Sequence, residues 1–158
     1  MVSAPLPAAR PESDSKARLR LWIRLLRASR LIEGVARERL KSQFGATLPR
    51  FDVMAALYRK PDGMLMSEIS RFLMVSNGNV TGIVDRLVSD GLVVRSQRNG
   101  DRRTSFVSLT RKGRAAFAEM AAAHESWVDE LLGGVSVRDA EQMSIKLKSF
   151  RSDWEVEA

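Results

Sequence analysis

The chain has no cysteine and a single histidine, His124, among its 158 residues. Without cysteine there are no disulfides, no thiolate zinc sites and no thiol chemistry for sensing oxidants. One histidine leaves little from which to build His-based catalysis or a multi-histidine metal site. There is no P-loop and no Gly-rich dinucleotide fingerprint. An enzyme is therefore not expected, nor a metal or a cofactor. No apolar run approaches the roughly 20 residues needed to cross a bilayer, so no membrane partner is expected. The first fifteen residues, MVSAPLPAARPESDS, hold three prolines and no apolar h-region. They read as a disordered arm and not as a secretory signal, and a cytoplasmic protein is expected.

What the chain does have is positive charge in two blocks. Lys and Arg number 26 against 19 Asp and Glu, a net +7. Residues 16–41 hold nine basic and two acidic residues, and residues 95–114 hold seven basic residues against Asp101 alone. Residues 42–94 balance, and residues 115–158 carry four basic and nine acidic residues. Basic blocks of this kind are the electrostatic footprint of nucleic-acid binding; a pair of solvated helix faces is the plainer alternative. With 44% hydrophobic residues and a length near that of one domain, the chain is expected to fold as a single globular unit.

Apolar spacing organises the rest. Leu19, Trp22, Ile23, Leu26, Ile32, Val35 and Leu40 recur at three- and four-residue steps, predicting a helix over 16–43 ended by Gly45. Leu48-Pro49 opens a second helix with Phe51, Met54, Leu57 and Tyr58 on its apolar face. Pro61-Asp62-Gly63 is a turn, and Met64–Met66 a very short strand. Ser67 is expected to cap a third helix with Ile69, Phe72 and Leu73 inward, and Ser76 a fourth running to Asp90 with Val80, Ile83, Val84 and Leu87 inward. About three residues separate these two helices, the spacing of a helix-turn-helix. After Gly91 the period changes to two. Residues 92–97 and 104–109 read as strands around an Asn99-Gly100 turn. A hairpin directly after a helix-turn-helix makes a winged helix. Thr110 caps a fifth helix to Leu132, Gly133-Gly134 breaks it, and Ser136 caps a last one. There Ala140, Met143, Leu147, Phe150 and Trp154 form a narrow apolar seam.

The expected architecture is mainly α with a small β-hairpin wing. It comprises an N-terminal arm (1–15), an N-terminal dimerisation helix (16–46), a winged helix-turn-helix lobe (47–110) and C-terminal dimerisation helices (111–158). The terminal helices carry apolar faces with no obvious partner in a minimal winged helix. A homodimer would bury them, and its two-fold symmetry would match a palindromic double-stranded DNA operator.

The candidate DNA-reading residues lie on the fourth helix and the hairpin turn. Ser76, Asn77, Asn79, Thr81 and Arg86 lie between the inward positions. Asn can read adenine bidentately, and Thr can meet a thymine methyl or a phosphate. Gly78 and Gly82 let the backbone approach the groove wall, at about 1 kcal/mol of helix propensity each. Around the turn stand Arg98, Asp101, Arg102 and Arg103. An arginine there can enter a narrow minor groove, and a lone acid among cations can orient it.

These residues together resemble the MarR family of bacterial transcription regulators. Asp101-Arg102-Arg103 followed by Val107-Ser108-Leu109-Thr110 and Gly113 resembles the family's D-x-R and L-T-x-x-G signature. Asp90-Gly91-Leu92-Val93 resembles the approach to the wing, and Leu48–Met54 the start of the second helix. The resemblance covers about residues 17–153. It implies a dimeric winged helix, often a repressor relieved by a small aromatic acid, with Arg103 entering the minor groove and Asp101 positioning it. It places an effector between the dimerisation helices and the DNA-binding lobe, near Trp22, Leu26, Phe51, Met54, Tyr58, Met120 and His124, each of which also suits a core position. Leu21–Arg27 and Ala122–Glu125 further resemble a branch controlling hydroxycinnamate catabolism, in which the inducer is an aromatic acyl-CoA thioester. Arg24 or Arg27 would hold the effector's anion. Oxidant sensing through cysteine, used by some family members, has no residue here. A ligand-independent winged-helix DNA binder and a protein-interaction module remain as the alternative function.

Overall fold

The computed structural model describes residues 14–97 and 105–152. In chain order the elements are α1 (Asp14–Phe44), α2 (Leu48–Tyr58), β1 (Met64–Leu65), α3 (Met66–Leu73), α4 (Asn77–Ser89), β2 (Val93–Gln97), β3 (Ser105–Leu109), α5 (Arg111–Leu131) and α6 (Val137–Ser152). The mainly α architecture with a small antiparallel sheet is the one expected. The sheet has three strands in the order β1-β3-β2. Val93 faces Leu109 and Arg95 faces Val107 across the hairpin, while Met64 faces Val107 on the other edge. Period-two alternation turns Val93, Val107 and Leu109 into the core and leaves Val94 and Ser96 outside.

One core joins helices α1 to α5 and the sheet. Leu40 of α1, Val53, Met54 and Leu57 of α2, Ile69 of α3, and Val80, Val84 and Leu87 of α4 are almost wholly buried, together with Val107. Phe117, Met120 and Trp127 of α5 close it from the other side. Only the second half of α1 takes part: Ala36 and Leu40 are its buried residues. Arg39 holds that half to α5, donating to both carboxylate oxygens of Glu130 at 2.7 and 3.2 Å, with its guanidinium 5.9 Å from the Trp127 ring.

Several local expectations move. α1 begins at Asp14, so Asp14 and Ser15 belong to the helix and not to the arm; residues 1–13 lie outside the described residues. Ser67 does not cap α3. The helix starts one residue before it, because the Glu68 carboxylate reaches back to accept the Leu65 N–H at 2.8 Å and β1 runs straight into the first turn. Phe72 does not point inward: it is 44% exposed, with the Arg59 guanidinium 5.7 Å from its ring. Val80, Val84 and Leu87 are inward as expected, and Ile83 is half-buried. The Asn99-Gly100 turn and Thr104 fall outside the described residues.

The start of α5 ties three elements together. Thr110 caps it, accepting the Gly113 N–H at 2.9 Å, while the Thr110 hydroxyl donates to the Gly91 carbonyl at 2.7 Å. The Thr110 N–H donates to the Leu92 carbonyl at 3.0 Å. Gly113 is pressed against that same peptide: a Cβ built on it would lie 1.8 Å from the Leu92 carbonyl oxygen. The glycine is thus required by a backbone-to-backbone approach, with no flexible side chain able to give way. Gly113→Ala is expected to cost about 3 kcal/mol or more, since either α5 or the root of the hairpin must shift. Urea unfolding of the variant against the parent measures it, and a cost below about 1 kcal/mol would contradict the contact.

Candidate nucleic-acid interface

α4 offers one end to solvent and buries the rest of its inner face. Ser76 is its N-cap, accepting the Asn79 N–H at 3.5 Å. Asn77, Asn79, Thr81 and Arg86 are all exposed, as their positions between the inward residues predict. The Thr81 hydroxyl donates back to the Asn77 carbonyl at 2.9 Å, which settles its proton and leaves the oxygen free to accept. Gly78 and Gly82 are exposed, and a Cβ added at either would meet nothing within 4 Å. Packing among the described residues gives no reason for two glycines in a thirteen-residue helix.

Beside α4 stands the hairpin. Arg95 of β2 donates to the Asp85 carboxylate of α4 at 2.7 Å, pinning strand to helix. Arg98, Asp101, Arg102 and Arg103 lie outside the described residues. The strands that lead to them leave the core at Val93 and Leu109, next to the C-terminal end of α4. Two ion pairs of this lobe, Asp85–Arg95 and Arg50–Asp90, went unread in the sequence. Their partners are ten and forty positions apart, and no periodicity marks either.

The residues expected around an effector separate into three groups. Phe51 and His124 stack with ring centroids 4.9 Å apart, and Phe117 bridges Phe51 and Tyr58 at 5.3 and 4.9 Å. Tyr58 is 39% exposed and carries the Arg114 guanidinium 5.2 Å from its ring. Met54 and Met120, both buried, line a cavity of about 280 Å³ together with Phe44, Arg50, Asp90 and Glu119. Trp22, Arg24 and Arg27 are exposed on the first half of α1, with Leu26 half-buried beside them. Among the described residues no ring contact joins Trp22 to the Phe51 cluster. Arg114, absent from the expected set, is set over the exposed Tyr58 ring. Its only sequence signal was membership of the 95–114 basic block.

Burial against Phe51 and Trp127 pushes the His124 imidazole below its ordinary 6.5, because desolvation disfavours the charged ring. The unfolded chain then takes up the proton first as pH falls. His124 therefore favours the fold above pH 6.5, and this contribution is lost as pH drops below that value. The unfolding midpoint of His124→Phe is expected to fall less than the parent's between pH 7.5 and 5.5. Parallel slopes for the two proteins would contradict this.

Comparison with known proteins fits the same geometry. The MarR family model matches residues 46–105, from just before α2 to the first residue of β3. The transcriptional activatory protein BadR of Rhodopseudomonas palustris is 30% identical over 132 residues, spanning 80% of this chain and 75% of that protein. A crystal structure of a MarR family transcriptional regulator from Silicibacter pomeroyi superposes with a TM-score of 0.74 at 34% identity, covering 91% of this chain and 99% of the other. A MarR variant from E. coli, crystallised in complex with operator DNA, superposes at 0.73 with 21% identity over 88% of this chain and 99% of its own, a likeness of fold. These relatives are regulators and not enzymes, in line with the missing catalytic inventory. No described helix is long and apolar enough to cross a membrane. The chain belongs to the MarR family and is a DNA-binding transcriptional regulator.

Proposed function

We propose that the protein is a ligand-responsive repressor that binds a palindromic operator as a homodimer and leaves it when a small aromatic acid, or its CoA thioester, binds. The observation that carries the DNA reading is the exposed first half of α4. Among the described residues its two glycines serve no packing, and in the sequence a basic hairpin follows the same helix. A backbone that must come close to a groove wall explains them. In this reading Ser76, Asn77, Asn79, Thr81 and Arg86 face the major groove. Arg98, Arg102 and Arg103 serve the minor groove, with Asp101 orienting an arginine.

The dimer is supported by what the fold leaves uncovered. A groove of about 670 Å³ between α5 and α6 is lined by Val128, Leu132, Val137 and Ile145 and edged by Glu125 and Asp129. The first half of α1 exposes Leu19, Trp22 and Ile23 among arginines. The apolar surface and opposite charge of the two complement each other in a two-fold pair. The aromatic effector is supported by the half-open ring cluster of Phe51, Tyr58, Phe117 and His124, where Arg114 can meet a carboxylate, and by the resemblance of residues 21–27 and 122–125. Arg24 and Arg27 of a second copy's α1 would add cations for a CoA ester.

Selection from a random duplex library is expected to return an inverted repeat whose half-sites lie about 34–36 Å apart, bound more weakly as salt rises. Gly82→Ala should stabilise the protein by about 1 kcal/mol and yet weaken binding to the selected duplex. Arg103→Ala should cost more affinity than Arg111→Ala. Asp101→Ala should weaken binding although it removes a negative charge. Gly82→Ala with undiminished binding, or no duplex selected, would overturn the groove reading.

For the effector, titration of p-hydroxycinnamic acid and its CoA thioester with and without the selected duplex should show one of them binding more weakly on DNA. The factor should equal that by which it lowers DNA affinity. Binding with no effect on DNA would leave a ligand-independent DNA binder.

A further inference from the structure

Asp90 stands where a carboxylate is electrostatically out of place. It is the C-cap of α4, at the end that already carries the partial negative charge of the helix carbonyls. The compensation comes from other elements. Arg50, in the first turn of α2, donates to the Asp90 carboxylate, and the two side chains are 23% and 48% exposed. Lys112, in the first turn of α5, donates through Nζ to the Asp90 backbone carbonyl at 2.9 Å. One residue later Gly91 turns the chain with a φ of +70°, and its carbonyl accepts the Thr110 hydroxyl. Three helices therefore meet at one acidic residue, at the end of α4 opposite the exposed Ser76–Thr81 turn.

The apolar face of α4 seats it on the core through Val80, Val84 and Leu87, contacts that are not directional. A charge-assisted bond with fixed geometry at one end is directional. A thirteen-residue helix is about 20 Å long, so a tilt of about 5° at the Asp90 end moves the other end by about 2 Å. That is enough to break a bidentate contact with a base edge. We propose that the Arg50–Asp90 pair, backed by Lys112, is a positioning device that aims the recognition helix, setting its angle against α2 and α5 without touching DNA. This rests on the reading of α4 as the groove helix.

The test compares a duplex selected by the parent protein from a random library with a scrambled duplex of equal length. Arg50→Gln removes a positive charge and Asp90→Asn a negative one, so charge alone predicts opposite effects. Positioning predicts the same effect: each variant loses about tenfold on the selected duplex while keeping nearly all of its scrambled-duplex binding. The double variant should lose no more than either single one, and Asp90→Glu, which keeps the charge, should recover most of the loss. Thermal melts monitor folding in parallel. Asp90→Asn binding the selected duplex as tightly as the parent or tighter would overturn the proposal, as would losses that multiply in the double variant. A lowered melting temperature with selected-duplex affinity unchanged would overturn it too, leaving a stability role. A parent protein that selects no duplex fails earlier, at the groove reading itself.

Discussion

The winged-helix lobe depends on one close approach, the Gly113 backbone against the Leu92 peptide. Around it the Thr110 hydroxyl closes on Gly91 and its N–H on the Leu92 carbonyl, so the last turn of α4, the root of the hairpin and the first turn of α5 share a single hydrogen-bonded knot. Everything that faces outward is aimed from there. The hairpin leaves the knot as β2 and returns as β3, and β3 in turn pairs with β1 ahead of α3. A side chain at position 113 would force these elements apart, which gives the L-T-x-x-G pattern a mechanical meaning.

Acidic residues in a chain of net +7 do more than balance charge. Asp85 ties α4 to β2 through Arg95, and Asp90 ties it to α2 through Arg50. Both acids sit on the helix that carries the exposed amide and hydroxyl side chains, and both are matched by an arginine from a neighbouring element. Opposite charge here orients positive surface. The same logic joins Arg39 of α1 to Glu130 of α5 in the other lobe, where a bidentate pair fixes one helix on another above the Trp127 ring.

The two ends of the chain differ from its middle. In the lobe between them the apolar residues find one another within a single copy. In the first half of α1 and along α6 they do not: Leu19, Trp22, Val137 and Ile145 stay exposed. This exposed apolar surface, divided between a basic helix and an acid-edged groove, is what the proposed dimer would bury.

Local order was legible from the residues alone because it follows from short-range rules. Helical spacing, the caps at Ser76, Thr110 and Ser136, the glycine stops at Gly45 and Gly91 and the change of period after Gly91 all act within a few positions, and they placed α1, α2, α4, α5 and both hairpin strands to within about two residues. The exposure of Asn77, Asn79, Thr81 and Arg86 on α4 followed from the same periodicity. Where a side chain had two competing neighbours, short-range rules failed. Ser67 lost the cap of α3 to the Glu68 carboxylate, and Phe72 turned outward beneath Arg59. The pairing of Met64 with Val107, the separation of Trp22 from the Phe51–His124 cluster, the Arg114 cation over Tyr58 and the Arg50–Asp90 tie each join residues far apart in the chain. Spacing along a sequence says which face of an element a residue occupies. Which other element that face meets is decided only when the core closes and sets their distances.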